Sequence, residues 1–212
     1  MSQFFRLHPE NPQPRLVKQA AEIIRDGGVI ALPTDSSYAL AARIDDKHAA
    51  ERLRRIRGLD EKALLSLMVR DLSELANFAM VDNRQYRLIK SVTPGPYVFV
   101  LVATKEVPRR LSHPSRKTIG LRVPGHPIPL AILEALGEPL LASTLILPPD
   151  TEPLNDPEEI RERLEKQLDL VIDGGACPCE PSTVIDLTGE VPVLVRPGRG
   201  ALAPFGIEEE ET

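Results

Sequence analysis

The chain predicts a single α/β (α+β) domain built on a twisted, open mixed sheet with flanking helices. Three observations lead there. Short apolar runs alternate with stretches of helical period from one end of the chain to the other. No linker or internal repeat interrupts that order across the 212 residues. A composition of 42% hydrophobic and 27% charged residues can bury a sizeable core, which excludes wholesale disorder.

The elements follow in order. After Pro12 and Pro14, Leu16, Val17, Ala20, Ile23 and Ile24 recur at helical spacing until Gly27-Gly28. Val29–Leu32 is a short apolar strand that runs into the polar turn Pro33-Thr34-Asp35-Ser36-Ser37. Asp45-Asp46 supply N-cap candidates for a helix carrying Leu53 and Ile56 and ended by Gly58. Leu64–Val69 reads as a buried strand, followed by helices around Leu72–Ala79 and Asn83–Val92. Beyond Thr93-Pro94-Gly95-Pro96, Tyr97–Val102 is rich in β-branched and aromatic residues and so a strand. Thr118–Val123 is another, with Ile119, Leu121 and Val123 on one face and Gly120 and Arg122 on the other. A helix over Ile128–Leu136, a strand over Leu140–Thr144 and an acidic helix over Glu158–Gln167 come next, the last opened by Asp156-Pro157. Leu170–Ile172, Thr183–Leu187 and Val191–Val195 close the set of about eight strands, the last two as a hairpin. Residues 1–206 are expected to form the domain and residues 207–212, with Glu208–Glu211, an acidic disordered tail.

Several function classes drop out. There is no run of about 18 apolar residues, so no spanning helix and no membrane partner are expected. The first residues lack a basic segment followed by an apolar one, and two cysteines cannot build a disulfide framework, so a cytoplasmic location is expected. Cys177-Pro178-Cys179 reads as two free loop thiols. His8, His48, His113 and His126 are scattered without metal-ligand spacing, so no metal site is expected from protein side chains. No phosphate-cradling glycine loop follows a strand, and Gly198-Arg199-Gly200 lies in a loop after the last one. No nucleophile–base constellation stands out.

What remains is cationic. The net charge of −5 conceals a segregation: residues 43–125 hold 17 Lys/Arg against 9 Asp/Glu. That asymmetry points to an anionic partner or to a solvated basic face balanced by an acidic one. Arg52, Arg54, Arg55 and Arg57 sit on one helix, with Lys62 in the loop beyond. Arg122 and Arg196 lie in or at the end of apolar strands, where a guanidinium needs an anion or several acceptors. Hydroxyl pairs (Thr34 and Ser36, Ser143 and Thr144, Ser182 and Thr183) also fall at strand ends. Together they suit a cleft at a sheet edge that binds small polar ligands.

The blocks Gly27–Tyr38 (GGVIALPTDSSY), Pro94-Gly95-Pro96, Thr118–Pro124 (TIGLRVP), Pro181–Asp186 (PSTVID) and Val195-Arg196-Pro197-Gly198, in that order, resemble the YrdC/YciO family. The similarity runs from about Gln19 to Gly198, and the wording of residues 103–111 is most similar to the YciO branch. The resemblance implies a YrdC-like sheet with a basic concave cleft. It also implies a threonylcarbamoyl-AMP synthase activity that condenses L-threonine, bicarbonate and ATP, with Mg²⁺, into threonylcarbamoyl-adenylate and pyrophosphate for tRNA modification. By matching positions, the family's Lys-x-Arg phosphate clamp falls on Arg55-Ile56-Arg57 with Lys62 nearby, and its Ser-x-Asn nucleotide contact on Thr144-Leu145-Ile146. Arg122 and Arg196 line the implied nucleotide cleft, while Thr34, Ser36 and Ser182 fall on threonine-side positions. Three residues depart from the pattern: Arg55 for a lysine, Ile146 for the asparagine, and Ala39 for a glycine. Two other readings stand beside the synthase: a protein binding double-stranded or structured RNA through the same cleft, and a sensor or carrier without turnover. With no Trp and 4% aromatics, stacking on single strands is disfavoured.

Overall fold

The computed structural model describes residues 2–60, 63 and 65–208. Lys62 and residues 209–212 of the expected tail therefore lie outside the described residues. In chain order the first half comprises β1 (Gln3–Arg6), α1 (Pro14–Arg25), β2 (Ile30–Leu32), β3 (Ala39–Arg43), α2 (Lys47–Arg57), β4 (Ser66–Met68), α3 (Leu72–Phe78), β5 (Ala79–Met80) and α4 (Asn83–Val92). The second half comprises β6 (Tyr97–Ala103), β7 (Thr118–Arg122), α5 (Pro127–Leu136), β8 (Leu140–Thr144), α6 (Pro157–Leu164), β9 (Leu170–Asp173), β10 (Thr183–Asp186) and β11 (Val193–Arg196). A short 3₁₀ turn, Ala203–Phe205, follows.

The strands form one open mixed sheet in the order β1-β9-β2-β3-β8-β4-β7-β6-β10-β11, with β5 paired to β6 beside that path. This is the predicted class, but among the described residues the sheet has eleven strands where about eight were expected. The extra ones are made by pairing. Gln3–Arg6 adds in parallel to β9, Phe4 opposite Val171, and Ala39–Arg43 is held antiparallel between β2 and β8. Alanine is a weak strand former, so this Ala-rich segment takes its conformation from its neighbours. The expected hairpin is present, with Ile185 opposite Leu194.

Local signals set the helix that matters most for the site. The Asp46 side chain accepts the Ala49 N–H at 2.9 Å and caps α2. Gly58 ends it at φ 64°, and a β-carbon there would sit 2.5 Å from Pro148 Cγ, so both conformation and space demand glycine. Arg57 is thereby delivered at the last helical position.

The layers explain where the site lies. One face of the sheet is covered throughout: Leu67, Phe99, Leu101, Ile119, Leu121, Leu141 and Ile185 pack there with Leu53 and Ile56 of α2 and Ile160 of α6. Burying each such side chain is worth about 1.5–3 kcal/mol. The opposite face is covered only in part. The α1–α5 pair packs on Ile30, Leu32, Ala39, Ala41, Met68, Leu140, Ala142 and Leu170, over β9, β2, β3, β8 and the edge of β4. Over β6, β10 and β11 the same face is more open, with Val98, Val100 and Val184 half-buried and Val193 and Val195 exposed. That open half-face is the floor of a cleft.

Candidate functional site

The cleft has a volume of about 290 Å³. Its floor is apolar (Met68, Val98, Val100, Val184 and Val195), and Gly120 at its centre keeps it open. A β-carbon on Gly120 would come within 2.9 Å of Val98 Cγ1. Arg57, Arg122 and Arg196 stand around this floor with Ser143, Thr144 and Ser182. These three arginines come from α2, β7 and β11, so the fold brings together guanidinium groups far apart in sequence.

Each arginine is held differently. Arg57 donates through Nε to Ser143 Oγ at 3.1 Å and through Nη1 to the Ile146 carbonyl oxygen. Arg196 Nη2 donates to the Ser182 carbonyl at 2.8 Å and to Ser182 Oγ at 3.2 Å. Arg122 Nη2 donates to Asp35 Oδ1 and, at 3.3 Å, to Thr34 Oγ1. The Arg122–Asp35 pair is well shielded, with side chains 6% and 15% exposed. Among the described residues neither Arg57 nor Arg196 has a carboxylate partner, and the buried Nε–H groups of Arg122 and Arg196 have no acceptor. Such donors are what an incoming anion would satisfy.

The electrostatics agree. Burial, and then the charge of Arg196, pull Arg57 below the ordinary arginine value. Burial, and then Arg122, do the same to Arg196. This is a hollow of concentrated positive charge with low-dielectric walls. His126, the N-cap of α5, accepts the Ile128 N–H at 3.2 Å on Nδ1, and burial holds its pKa below the usual histidine value.

The Thr34–Tyr38 turn is locked by its own hydroxyls. Thr34 Oγ1 donates to the Ser37 carbonyl at 2.6 Å and accepts the Ser36 and Ser37 N–H groups at 3.2 and 3.3 Å. Beneath it, Tyr38 donates to the Gly175 carbonyl at 2.9 Å, and burial raises its pKa strongly. Cys177 packs alongside; burial pushes its thiol up to about 11, which favours the protonated form at neutral pH.

Of the residues singled out from sequence, Arg57, Arg122, Arg196, Thr144 and Ser182 line the one cleft. Thr34 and Ser36, 1% exposed each, lie behind it, and Thr34 reaches Arg122 directly. Arg122 thus joins the hydroxyl turn to the cleft that Thr144 also lines. Arg55 is exposed and does not line the cleft, because two residues turn a helix by about 200°. Lys62 lies outside the described residues. Asp35 sits inside the same polar turn, yet nothing in local spacing announces its partner 87 positions away.

Among the described residues there is no group of three or more His, Cys, Asp or Glu able to cage a metal ion. The described side chains therefore do not form a Mg²⁺ site of their own. No helix among the described residues is long and apolar enough to cross a membrane.

A cationic hollow at the edge of an open mixed sheet places the protein among α/β proteins with a cleft suited to anions, and comparison narrows the class. The Sua5/YciO/YrdC family model, described as "Telomere recombination", matches residues 22–198, and the chain belongs to that family. It is 58% identical over 205 residues to the uncharacterized protein YciO of Escherichia coli K12, covering 97% of this chain and all of that one. The crystal structure of E. coli YciO superposes with a TM-score of 0.94 at 57% identity. Threonylcarbamoyl-AMP synthase of Pyrococcus abyssi is 30% identical over 184 residues, covering 86% of this chain but 54% of that protein. The crystal structure of P. abyssi Sua5 complexed with L-threonine superposes with a TM-score of 0.86 at 28% identity, covering 93% of this chain and 58% of the other.

Proposed function

We propose that the protein condenses L-threonine, bicarbonate and ATP into threonylcarbamoyl-AMP and pyrophosphate. The observation that carries this reading is the convergence of Arg57, Arg122 and Arg196 on one apolar-floored cleft. The threonine amine and bicarbonate give a carbamate and water. A carbamate oxygen then attacks the α-phosphorus, and the bond to the β-phosphate breaks to release pyrophosphate. No protein nucleophile is required, in keeping with a protonated Cys177. The chain's own work is positioning and neutralisation. The unpaired guanidinium groups of Arg57 and Arg196 take the phosphates, with Ser143 and Thr144 beside them. Arg122, braced from behind by Thr34, takes the amino-acid carboxylate, with Ser182 lining the same cleft beside Arg196. The valine floor takes the base. The test is pyrophosphate release by the purified protein with ATP, threonine and bicarbonate. Release that needs both threonine and bicarbonate is expected; its absence at enzyme concentrations of tens of micromolar would overturn the reading.

One observation favours an RNA-binding role beside this. Lys105, Arg109, Arg116 and Lys117 are exposed on the loop joining β6 to β7, away from the cleft. The loop is anchored by buried Val107 and Leu111 and by Arg110 Nη2 donating to the Ile44 carbonyl at 2.8 Å. A gel shift with double-stranded RNA across a salt series decides it. Four phosphate contacts predict a log–log slope of roughly −3 to −4, and no retardation at low salt would remove the role.

A further inference from the structure

We infer that Asp35 is a positioning residue that fixes the Arg122 guanidinium for ligand binding; the inference rests on the proposed reading of the cleft. Arg122 is 5% exposed, and a guanidinium so deeply buried needs an anion or several acceptors to hold it. Asp35 supplies that carboxylate from a rigid mount. Its Oδ1 takes Arg122 Nη2, and its Oδ2 takes the Gly125 N–H at 3.0 Å, three residues beyond Arg122 on the same chain segment. Both oxygens are thus committed within the protein. The turn that carries Asp35 is itself cross-braced by Thr34, whose hydroxyl also touches Arg122 Nη2. Three other titratable groups feel the pair: Asp35 raises and Arg122 lowers the pKa of both His126 and Cys177, and Arg122 lowers that of Arg196, in each case less than burial acts.

The pairing has a chemical consequence. One amino group of Arg122 is consumed by the protein, while its Nε–H keeps no acceptor among the described residues. Arg122 has a carboxylate partner, so among the described residues the cleft arginines without one are Arg57 and Arg196. A polyphosphate is drawn to those two. The Arg122 side is left suited to a single carboxylate, with the guanidinium orientation set by Asp35 rather than by the ligand. Asp35 acts through Arg122 and makes no ligand contact of its own.

The test uses the full chain carrying Asp35→Asn, which keeps the shape and removes the charge. Asp35→Glu serves as the conservative variant and Arg122→Ala as the background. By calorimetry, Asp35→Asn should weaken threonine binding about 10- to 100-fold, leave ATP binding within about threefold, and be partly rescued by Asp35→Glu. In Arg122→Ala the further Asp35→Asn change should have no effect on threonine. An equal loss for both ligands would overturn the inference, and so would additive losses in the double variant, which would make Asp35 a direct contact. A second readout needs no threonine. With phenylglyoxal and peptide mass mapping, Arg122 should be inert in the parent protein and modified in Asp35→Asn. If Arg122 stays inert in both, the positioning role fails. If it becomes reactive while the parent binds no threonine, the positioning stands and the synthase reading fails instead.

Discussion

Arg57 and Arg196 face the same cleft, where neither has a carboxylate partner among the described residues, and the charge of Arg196 helps to hold the Arg57 pKa down. Two like charges held together in this way are relieved by an anion. Arg57→Ala should therefore weaken ATP binding roughly 10- to 150-fold, the value of one or two charge-assisted hydrogen bonds. Arg57→Lys should recover only part of it, since an ammonium cannot serve Ser143 Oγ and the Ile146 carbonyl in the same fork. Calorimetry with ATP and with threonine separately measures this, and threonine affinity should not move.

Gly120→Val places a branched side chain on the cleft floor, where even a β-carbon approaches Val98 to 2.9 Å. Nucleotide binding should fall at least about tenfold. The packed face of the sheet is not involved, so the circular dichroism spectrum should be unchanged and Tm should shift by about 4 °C or less. Loss of the folded spectrum would show that Gly120 serves the sheet rather than the cleft.

Ile146→Asn restores an amide donor and acceptor beside Thr144, while the backbone carbonyl that holds Arg57 is retained. One regained hydrogen bond of about 1–3 kcal/mol corresponds to a KM for ATP lower by roughly 5- to 150-fold. Pyrophosphate-release kinetics measure it, and an unchanged KM would show that residue 146 does not meet the nucleotide.

Cys177 gives a pH signature. Its folded pKa of about 11 lies above the ordinary 9.0, so its contribution to stability is complete below pH 9 and is lost as pH rises towards 11. The folded state binds more protons in that window, and stability falls with pH by roughly 2–3 kcal/mol. Cys177→Ala should flatten the fall in chemical-denaturation midpoints between pH 8.5 and 10.5. An identical alkaline slope in both proteins would place the titration elsewhere, with Tyr38 the next group to mutate.

The readable parts of the chain were those written in local chemistry. Asp46 and Gly58 bracket α2 within a residue of expectation, and the alternation of Ile119, Leu121 and Val123 against Gly120 and Arg122 correctly divides β7 between core and cleft. The convergence of Arg57, Arg122 and Arg196 was expected from strand-end arginines and a helix end. Ala39–Arg43 was missed because alanine carries no strand signal and its two partners, β2 and β8, are set by topology. Helical geometry turns Arg55 out to solvent, which a count of arginines on one helix could not distinguish without fixing the phase of α2 against the sheet. Asp35 was hidden for a different reason: its partner is chosen by the meeting of the β2–β3 turn with the end of β7.

The half-covered sheet carries a thermodynamic corollary. A molecule resting on Val98, Val100 and Val184 would do for β6, β7 and β10 what the α1–α5 pair does for the rest of that side, serving as a missing layer of the architecture. Occupancy and melting are then two readings of one equilibrium, and any true substrate announces itself by making the protein harder to unfold.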